Sequence, residues 1–424
     1  MAVNLRKKYS GNTEVSKKNR PYLYQLDFYH SGKRIMKTSK YYHLSGLVLI
    51  IILFIALISC EKKDKKPYAI GPDIYTEDTD FKIVGYLGLG GFEKINNLEL
   101  KKLTHLNLAF ANPDKDGKLV FTGNADIKSV VEKGHAAGLK VFISLAGGGK
   151  PDTTVWNSVL QPEKMQAFVK SILDYVEENN LDGVDVDIEG NLLPYIGNRY
   201  TPFVLELRNA LHAKGKGITC ALGAVGFHEA VTQESLEAYD FINVMVYDKT
   251  GPWRPDIVGP HAPFSYAEEA IKFWVEERKI SSDRIVLGMP FYGWEFSDPA
   301  RSKTYRNIVK ENPEHAYLDQ IDSLYFNGIP TIVKKTQLAK EKLNGVMFWE
   351  ISQDTVHEMS LLRAVDQTLQ AGDCDVTTFY KDEDGDGFGD LSKPFQACTS
   401  PDGYVSNRDD VDDTNPEINS QTSE

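Results

Sequence analysis

The chain has 424 residues, of which 42% are hydrophobic, 25% charged and 11% aromatic. This composition excludes a disordered, collagenous or multi-span membrane protein for the bulk of the chain. The length allows two to four domains, or one large α/β barrel with appendages. Four cysteines are too few for a disulfide-stapled mini-scaffold, and a net charge of −12 argues against a nucleic-acid binder, which needs a basic face toward phosphates.

The charge falls into three blocks. Residues 1–59 carry 10 Lys/Arg against 2 Asp/Glu, residues 373–424 carry 14 Asp/Glu against 3 Lys/Arg, and the stretch between has a balance of −9. Residues 47–58, LVLIIILFIALI, form an unbroken run of 12 apolar residues. A spanning helix needs ~20, so the run reads as the hydrophobic region of a signal peptide. Lys37 and Lys40 supply its positive flank, and Met36 opens a conventional signal sequence, which places residues 1–35 ahead of the expected start. The run ends in Leu57-Ile58-Ser59-Cys60, which resembles the lipobox of a bacterial lipoprotein. That resemblance implies cleavage before Cys60, acylation of its thiol, and a lipid-anchored place on the extracytoplasmic side of the cell envelope. An uncleaved single-span anchor is the other reading. Residues 60–80 are polar and aperiodic beyond Cys60, and read as a tether.

From Phe81 onward short apolar runs recur at regular spacing. Strands are predicted at 81–88, 105–111, 140–147, 183–189, 218–225, 241–248, 285–294 and 345–351. Several are nearly continuous apolar runs, as expected when protein covers both faces. Amphipathic segments alternate with them; in 163–180, Met165, Phe168, Ile172 and Val176 share one helical face. Eight β–α alternations predict a (β/α)8 barrel over residues 81–370, with a doubly wound open sheet as the runner-up. In such a barrel chemistry sits at the C-terminal ends of the strands. The unusual residues lie there: Asp185, Asp187 and Glu189 on the fourth strand, Tyr247 and Asp248 on the sixth, Trp349 and Glu350 on the eighth.

The segment LDGVDVDIEG is the most informative. Side chains alternate across a strand, so Val184, Val186 and Ile188 face the helices while Asp185, Asp187 and Glu189 face the barrel interior. Three buried carboxylates with no basic partner in the segment are too costly to be retained for stability. Metal binding lacks an accompanying histidine cluster or HExxH pattern. Mutual repulsion raises at least one of the three pKa values. Glu189, nearest the open end, is placed to be a general acid.

These residues resemble glycoside hydrolase family 18, the chitinase family. The motif DGxDxDxE is matched by Asp182, Gly183, Asp185, Asp187 and Glu189; SxGG is matched imperfectly by Ser144-Leu145-Ala146-Gly147-Gly148, with Ala146 where a glycine is usual; MxYD is Met245-Val246-Tyr247-Asp248. The resemblance covers residues 81–365 and implies substrate-assisted, retaining hydrolysis of β-1,4-linked N-acetylglucosamine polymers, with no cofactor for catalysis. By the same resemblance Glu189 protonates the leaving oxygen, Asp187 orients the acetamido group, Asp185 shares its charge or proton, and Tyr247 donates to the acetamido oxygen. Trp349 floors the sugar site, Met245 and Asp248 complete it, and Gly148 borders it. Tyr86, Phe110 and Trp253 are further sugar-contact candidates, Phe110 being equally suited to plain core packing.

An endo-β-N-acetylglucosaminidase acting on N-glycans and a non-catalytic chitin-binding lectin are the competing readings. MxYD and Trp349 favour chitin over N-glycans, and Glu189 favours an enzyme over a lectin. About 50 residues separate Trp294 from Gly345, enough for a helix and short loops, which predicts a shallow, open cleft suited to internal cleavage. A monomer is expected. Trp274 reads as core, Cys220 as a buried thiol, and GLGGFEK lacks the last glycine of a nucleotide-binding turn.

The acidic tail, residues 371–424, contains DEDGDGFGD. Asp382, Asp384, Asp386 and Gly387 stand at positions 1, 3, 5 and 6 of an EF-hand-like loop and Asp390 at position 9, with Lys393 where the EF-hand glutamate belongs. The pattern resembles the calcium repeats of thrombospondin type 3, which implies Ca²⁺ in this segment. Residues 409–413 can supply further ligands; a solvated acidic tail, poorly ordered by itself, is the other reading. Cys374 and Cys398 flank the loop and can pair outside the cytoplasm.

Overall fold

The computed structural model describes residues 74–419 apart from 77, 149, 150, 228, 298, 357, 372–376, 398 and 399. The signal sequence, the Cys60 lipobox and the Cys374–Cys398 pairing lie outside the described residues. Among the described residues no helix is long and apolar enough to cross a membrane.

Eight parallel strands close into a barrel. In chain order the first strands are β1 (Lys82–Gly88), β2 (His105–Pro113), β3 (Leu119–Phe121), β4 (Lys140–Ala146), β5 (Gly183–Asp187), β6 (Gly217–Gly223), β7 (Phe241–Met245) and β8 (Ile285–Pro290). Then come β9 (Tyr292–Glu295), β10 (Arg301–Thr304), β11 (Gln320–Ile321), β12 (Leu324–Tyr325) and β13 (Gly345–Trp349). The ladder runs β1-β13-β8-β7-β6-β5-β4-β2, and β1 pairs with β2 to close it; β3 adds an antiparallel flap to β2. The (β/α)8 expectation therefore holds, and the open sheet is excluded by the β1–β2 pairing.

Alternation along each strand divides the side chains as expected. On β5, Val184 and Val186 point outward into the main core with the helix Met165–Glu178, whose Phe168, Ile172 and Val176 are buried. Phe168 stacks on Phe203 of the helix Tyr200–His212 with ring centroids 6.0 Å apart, and Trp156 packs edge-on against both. Each large apolar side chain buried there contributes about 2–5 kcal/mol relative to alanine. A separate cluster fills the barrel interior: Val84, Tyr86, Ala109, Phe241, Val286 and Met347 among others. Trp274 and Cys220 are fully buried, as the sequence suggests.

Several strands stop short of their apolar runs. β5 ends at Asp187 and β7 at Met245, so Glu189, Tyr247 and Asp248 stand on loops just beyond strand ends. Gly190 (φ 55°) and Asp248 (φ 59°) take left-handed backbone there, which breaks the extended run. The predicted 285–294 strand splits at Phe291: β8 stays in the barrel, whereas β9 joins a four-stranded antiparallel sheet ordered β10-β9-β12-β11. The region between Trp294 and Gly345 is thus more than a helix with short loops. It forms most of a small sheet, together with the helix Tyr305–Glu311 and the helix Ile329–Lys342.

The tail is also folded. Strands β14 (Thr377–Lys381), β15 (Asp390–Ala397) and β16 (Tyr404–Val405) form a sheet ordered β15-β14-β16. Phe395 and Tyr404 pack on Tyr317 of the barrel's inserted region, with ring centroids 4.9 and 5.6 Å away, and Lys381 reaches Glu314 at 3.3 Å. The tail therefore rests on the barrel through an aromatic contact that its polar sequence does not announce.

Candidate active site

The site begins with β5 and its neighbours. Asp185 is fully buried inside the barrel. Its Oδ2 accepts hydrogen bonds from Tyr86 Oη and Ser144 Oγ, both at 2.7 Å; its Oδ1 accepts from Thr219 Oγ1 at 2.7 Å and Asn243 Nδ2 at 3.3 Å. Burial raises the Asp185 pKa, and these four donors oppose the rise by stabilising the charged form. Tyr86 thus has its hydroxyl committed to a carboxylate while its ring lines the cavity.

Asp187 is 3% exposed, and its Oδ1 has no hydrogen-bond partner. Burial holds its pKa well above the usual carboxylate range, and the charges of Glu189 and Asp185 push it further. Burial, then the Asp248 charge, pushes Glu189 up to about 7. This is the proton inventory of a general acid working near neutrality.

The two acids open into a cavity of about 160 Å³. Its walls are Tyr86, Phe110, Gly148, Ala221, Met245, Tyr247, Asp248, Tyr292 and Trp349. Trp349 stacks on Phe110 with centroids 5.4 Å apart and planes 17° from parallel, so Phe110 belongs to the cavity wall and buttresses the indole. Burial and the Asp187 charge keep the Tyr247 hydroxyl protonated, as a donor. A Cβ at position 148 would lie 2.9 Å from Glu189 Oε1, so Gly148 leaves the carboxyl its place. Gly147 (φ 75°) leaves room for the Phe110 ring, which a Cβ would approach to 2.4 Å. Ala146, which departs from the glycine motif, adopts φ 70°; there a non-glycine residue costs roughly 1–2 kcal/mol.

Asp248 sits at the cavity mouth. Its Oδ1 accepts from Tyr292 Oη at 2.5 Å and Trp294 Nε1 at 2.9 Å, with His261 Nδ1 at 3.5 Å. Sequence reading missed Tyr292 and Trp294 as site residues. Their Tyr-Gly-Trp alternation at the end of a strand is the signal that was available. Trp253 does not line the cavity: it is 52% exposed and meets Trp294 edge-on at 5.6 Å, on the rim.

In the tail, Asp382, Asp384 and Asp386 each bring an oxygen within 4.8 Å of the others. Asp390 does not join them. It opens β15, 3.6 Å from Lys393 Nζ, because the chain leaves the loop as a strand at position 9.

A closed parallel barrel with carboxylic acids and an aromatic floor at its C-terminal mouth is the scaffold of a sugar-processing barrel protein. The model of the glycosyl hydrolases family 18 matches residues 82–354, and the chain belongs to that family. A GH18 chitinase from the chitin utilization locus of Flavobacterium johnsoniae is 38% identical, with a TM-score of 0.65 over 69% of this chain and 94% of its own. A chitinase from Bacteroides thetaiotaomicron is 30% identical, with a TM-score of 0.60 over 68% of this chain and 96% of its own. A chitinase-like effector of Moniliophthora roreri is 32% identical over 228 residues, which are 48% of this chain and 55% of that protein. The chain thus spans about half the length of that curated relative.

Proposed function

We propose that the protein hydrolyses β-1,4-linked N-acetylglucosamine polymers, chitin or chitooligosaccharides, with retention of configuration. The observation that carries this reading is the pair of buried Asp187 and half-buried Glu189, repelling each other at one cavity over Trp349. Asp185 is saturated by four donors and Asp248 is held by Tyr292 and Trp294, so neither is free to attack C1. The nucleophile is then the substrate's own 2-acetamido oxygen. Glu189 gives its proton to the leaving glycosidic oxygen as that oxygen departs from C1. Asp187 accepts the acetamido N–H and stabilises the oxazolinium that forms; Tyr247 donates to the acetamido oxygen. Water then attacks C1, breaking its bond to the acetamido oxygen and losing a proton to Glu189. Trp349 supplies the apolar floor on which a pyranose face packs.

The substrate is tested by comparing release from chitotetraose and from a high-mannose glycoprotein. Chitotetraose is expected to turn over at least about tenfold faster, because a selective sugar contact is worth ~1–3 kcal/mol. Faster release from the glycoprotein assigns the chain to the N-glycan branch, and binding to chitin without release from either makes it a lectin.

The protein works as a monomer in this reading, on the outer side of a bacterial membrane, held by acyl chains on Cys60. A Cys60→Ser chain is expected to leave the membrane fraction or stay unprocessed. An unchanged membrane fraction with the full N-terminus intact instead supports an uncleaved anchor. Catalysis uses no cofactor, and calcium is a ligand of the tail, apart from the cleft.

A further inference from the structure

Behind the cavity wall lies a chain of buried polar contacts that the reaction above does not use. The helix Ile329–Lys342 carries two adjacent lysines. Lys334 is exposed, whereas Lys335 is fully buried. Lys335 Nζ donates to Ala262 O and to Asn327 Oδ1, both at 2.8 Å, and Asn327 Nδ2 donates to the same Ala262 O at 2.9 Å. The carboxylate whose charge acts on Lys335, Asp319, spends its oxygens on the Gly328 N–H and the Thr331 hydroxyl. Burial pulls the Lys335 pKa down to about 7, and a neutral amine has two N–H groups, one for each acceptor. A methionine would fill the same space without taking an amine from water, so packing alone gives no reason for a lysine here. What the amine adds, with Asn327, is a hydrogen-bonded bracket on one carbonyl.

That carbonyl follows His261, which is also fully buried. His261 O accepts from the Lys249 N–H at 2.9 Å, and its Nδ1 takes the Asp248 N–H at 3.5 Å. Burial lowers the His261 pKa, so the ring is neutral and Nδ1 is free to accept. The ring also meets Tyr292, a donor to Asp248, at 5.1 Å. The bracket on Ala262 thus fixes the backbone that underlies Asp248. Asp248 needs such support, because its left-handed φ of 59° persists only where the surroundings impose it.

We propose that Lys335 is a positioning residue of the active site: through Asn327, Ala262 and His261 it holds Asp248 where its charge bears on Glu189. This rests on the reading of Glu189 as the acid. Lys335 faces Asp319 and His261, His261 faces Asp248 and Lys335, and Glu189 faces Asp187, Tyr247 and Asp248. With the bracket cut, Asp248 relaxes away from Glu189, which then loses its proton at lower pH. Loss of the lysine's own positive charge would act the other way, so the sign of the shift separates the two.

The test is the pH dependence of kcat/KM on chitotetraose for the full chain, for Lys335→Met and Lys334→Met, and for each of these combined with Asp248→Asn. Lys335→Met is expected to move the alkaline limb down by about half a unit, which lowers kcat/KM at pH 8 about threefold; Lys334→Met leaves both unchanged. In Asp248→Asn the limb is already low, and adding Lys335→Met moves it no further. A limb that stays in place, whatever happens to melting, makes Lys335 a structural residue and overturns the proposal. So does an upward move, or a shift that persists in Asp248→Asn. Should Lys335→Met fail to fold, Asn327→Ala removes one arm of the bracket and is expected to give a smaller shift of the same sign. Amide hydrogen exchange needs no turnover: residues 249–263 are expected to exchange at least about tenfold faster in Lys335→Met than in the wild type. Exchange at the wild-type rate overturns the bracket. A wild-type chain that leaves chitotetraose intact overturns the chitinase reading instead, and exchange alone then decides the bracket.

Discussion

Replacing Glu189 by Gln is expected to lower kcat on a chromogenic chitooligosaccharide by about 10²–10⁴-fold while KM stays within about threefold. The amide fills the same space beside Gly148 and has no proton to give. The wild-type pH profile follows from the same group. Glu189 is pushed up to about 7 in the free site, and only its protonated form is an acid, so kcat/KM falls about tenfold per unit above that pH. The Gln variant should lose this alkaline limb. Stability moves with it. Between 4.5 and about 7 the folded chain keeps a proton that the unfolded chain has released, so stability falls as pH rises through that window. Glu189→Gln should therefore melt higher than the wild type at pH 8 and alongside it at pH 4. Equal turnover, or an alkaline limb that survives in the variant, would remove Glu189 from the role of acid.

Asp187→Ala is the second large effect. Asp187 Oδ1 is buried and unpartnered in the free site, so it is ready for a substrate N–H. Losing it leaves the acetamido group free to rotate and its oxazolinium unneutralised. A drop in kcat of about 10²–10³-fold is expected, the usual effect of deleting one preorganised polar contact to a developing charge. Wild-type turnover of chitotetraose by this variant would mean that another group orients the acetamide.

The barrel was legible because its strands are covered on both faces. Runs such as KVFISLA and GVMFW are nearly all apolar, and the period of two on β5 sorts Asp185 and Asp187 from Val184 and Val186. What surrounds those acids was not legible. Ser144, Thr219 and Asn243 meet Asp185 from three different strands, and which rungs align is decided by ladder register, which no local pattern encodes. Tyr292 and Trp294 were hidden for a related reason: they reach Asp248 only because the chain leaves β8 at Phe291 and turns into a second sheet. That sheet's strands are short and partly exposed, RSKT and QI among them, and give no apolar alternation to read. In the tail, spacing found Asp382, Asp384 and Asp386. It chose Asp390 for the next ligand because sequence distance suggested a continuous loop, whereas Asp390 opens β15 beside Lys393.

The placement of the five tryptophans divides the protein's fluorescence in two. Trp156 and Trp274 are fully buried among core rings, out of reach of any ligand, and provide a constant background. Trp349 lines the cavity, while Trp294 donates to Asp248 on its wall and meets Trp253 edge-on. Of these, Trp253 is half in water, the most solvent-sensitive emitter of the set. A ligand that covers Trp253 is expected to shift its emission to the blue. One settling over Trp349 changes the indole that stacks on Phe110. Binding at the cavity is thus expected to report itself in the protein's own fluorescence, readable without a label.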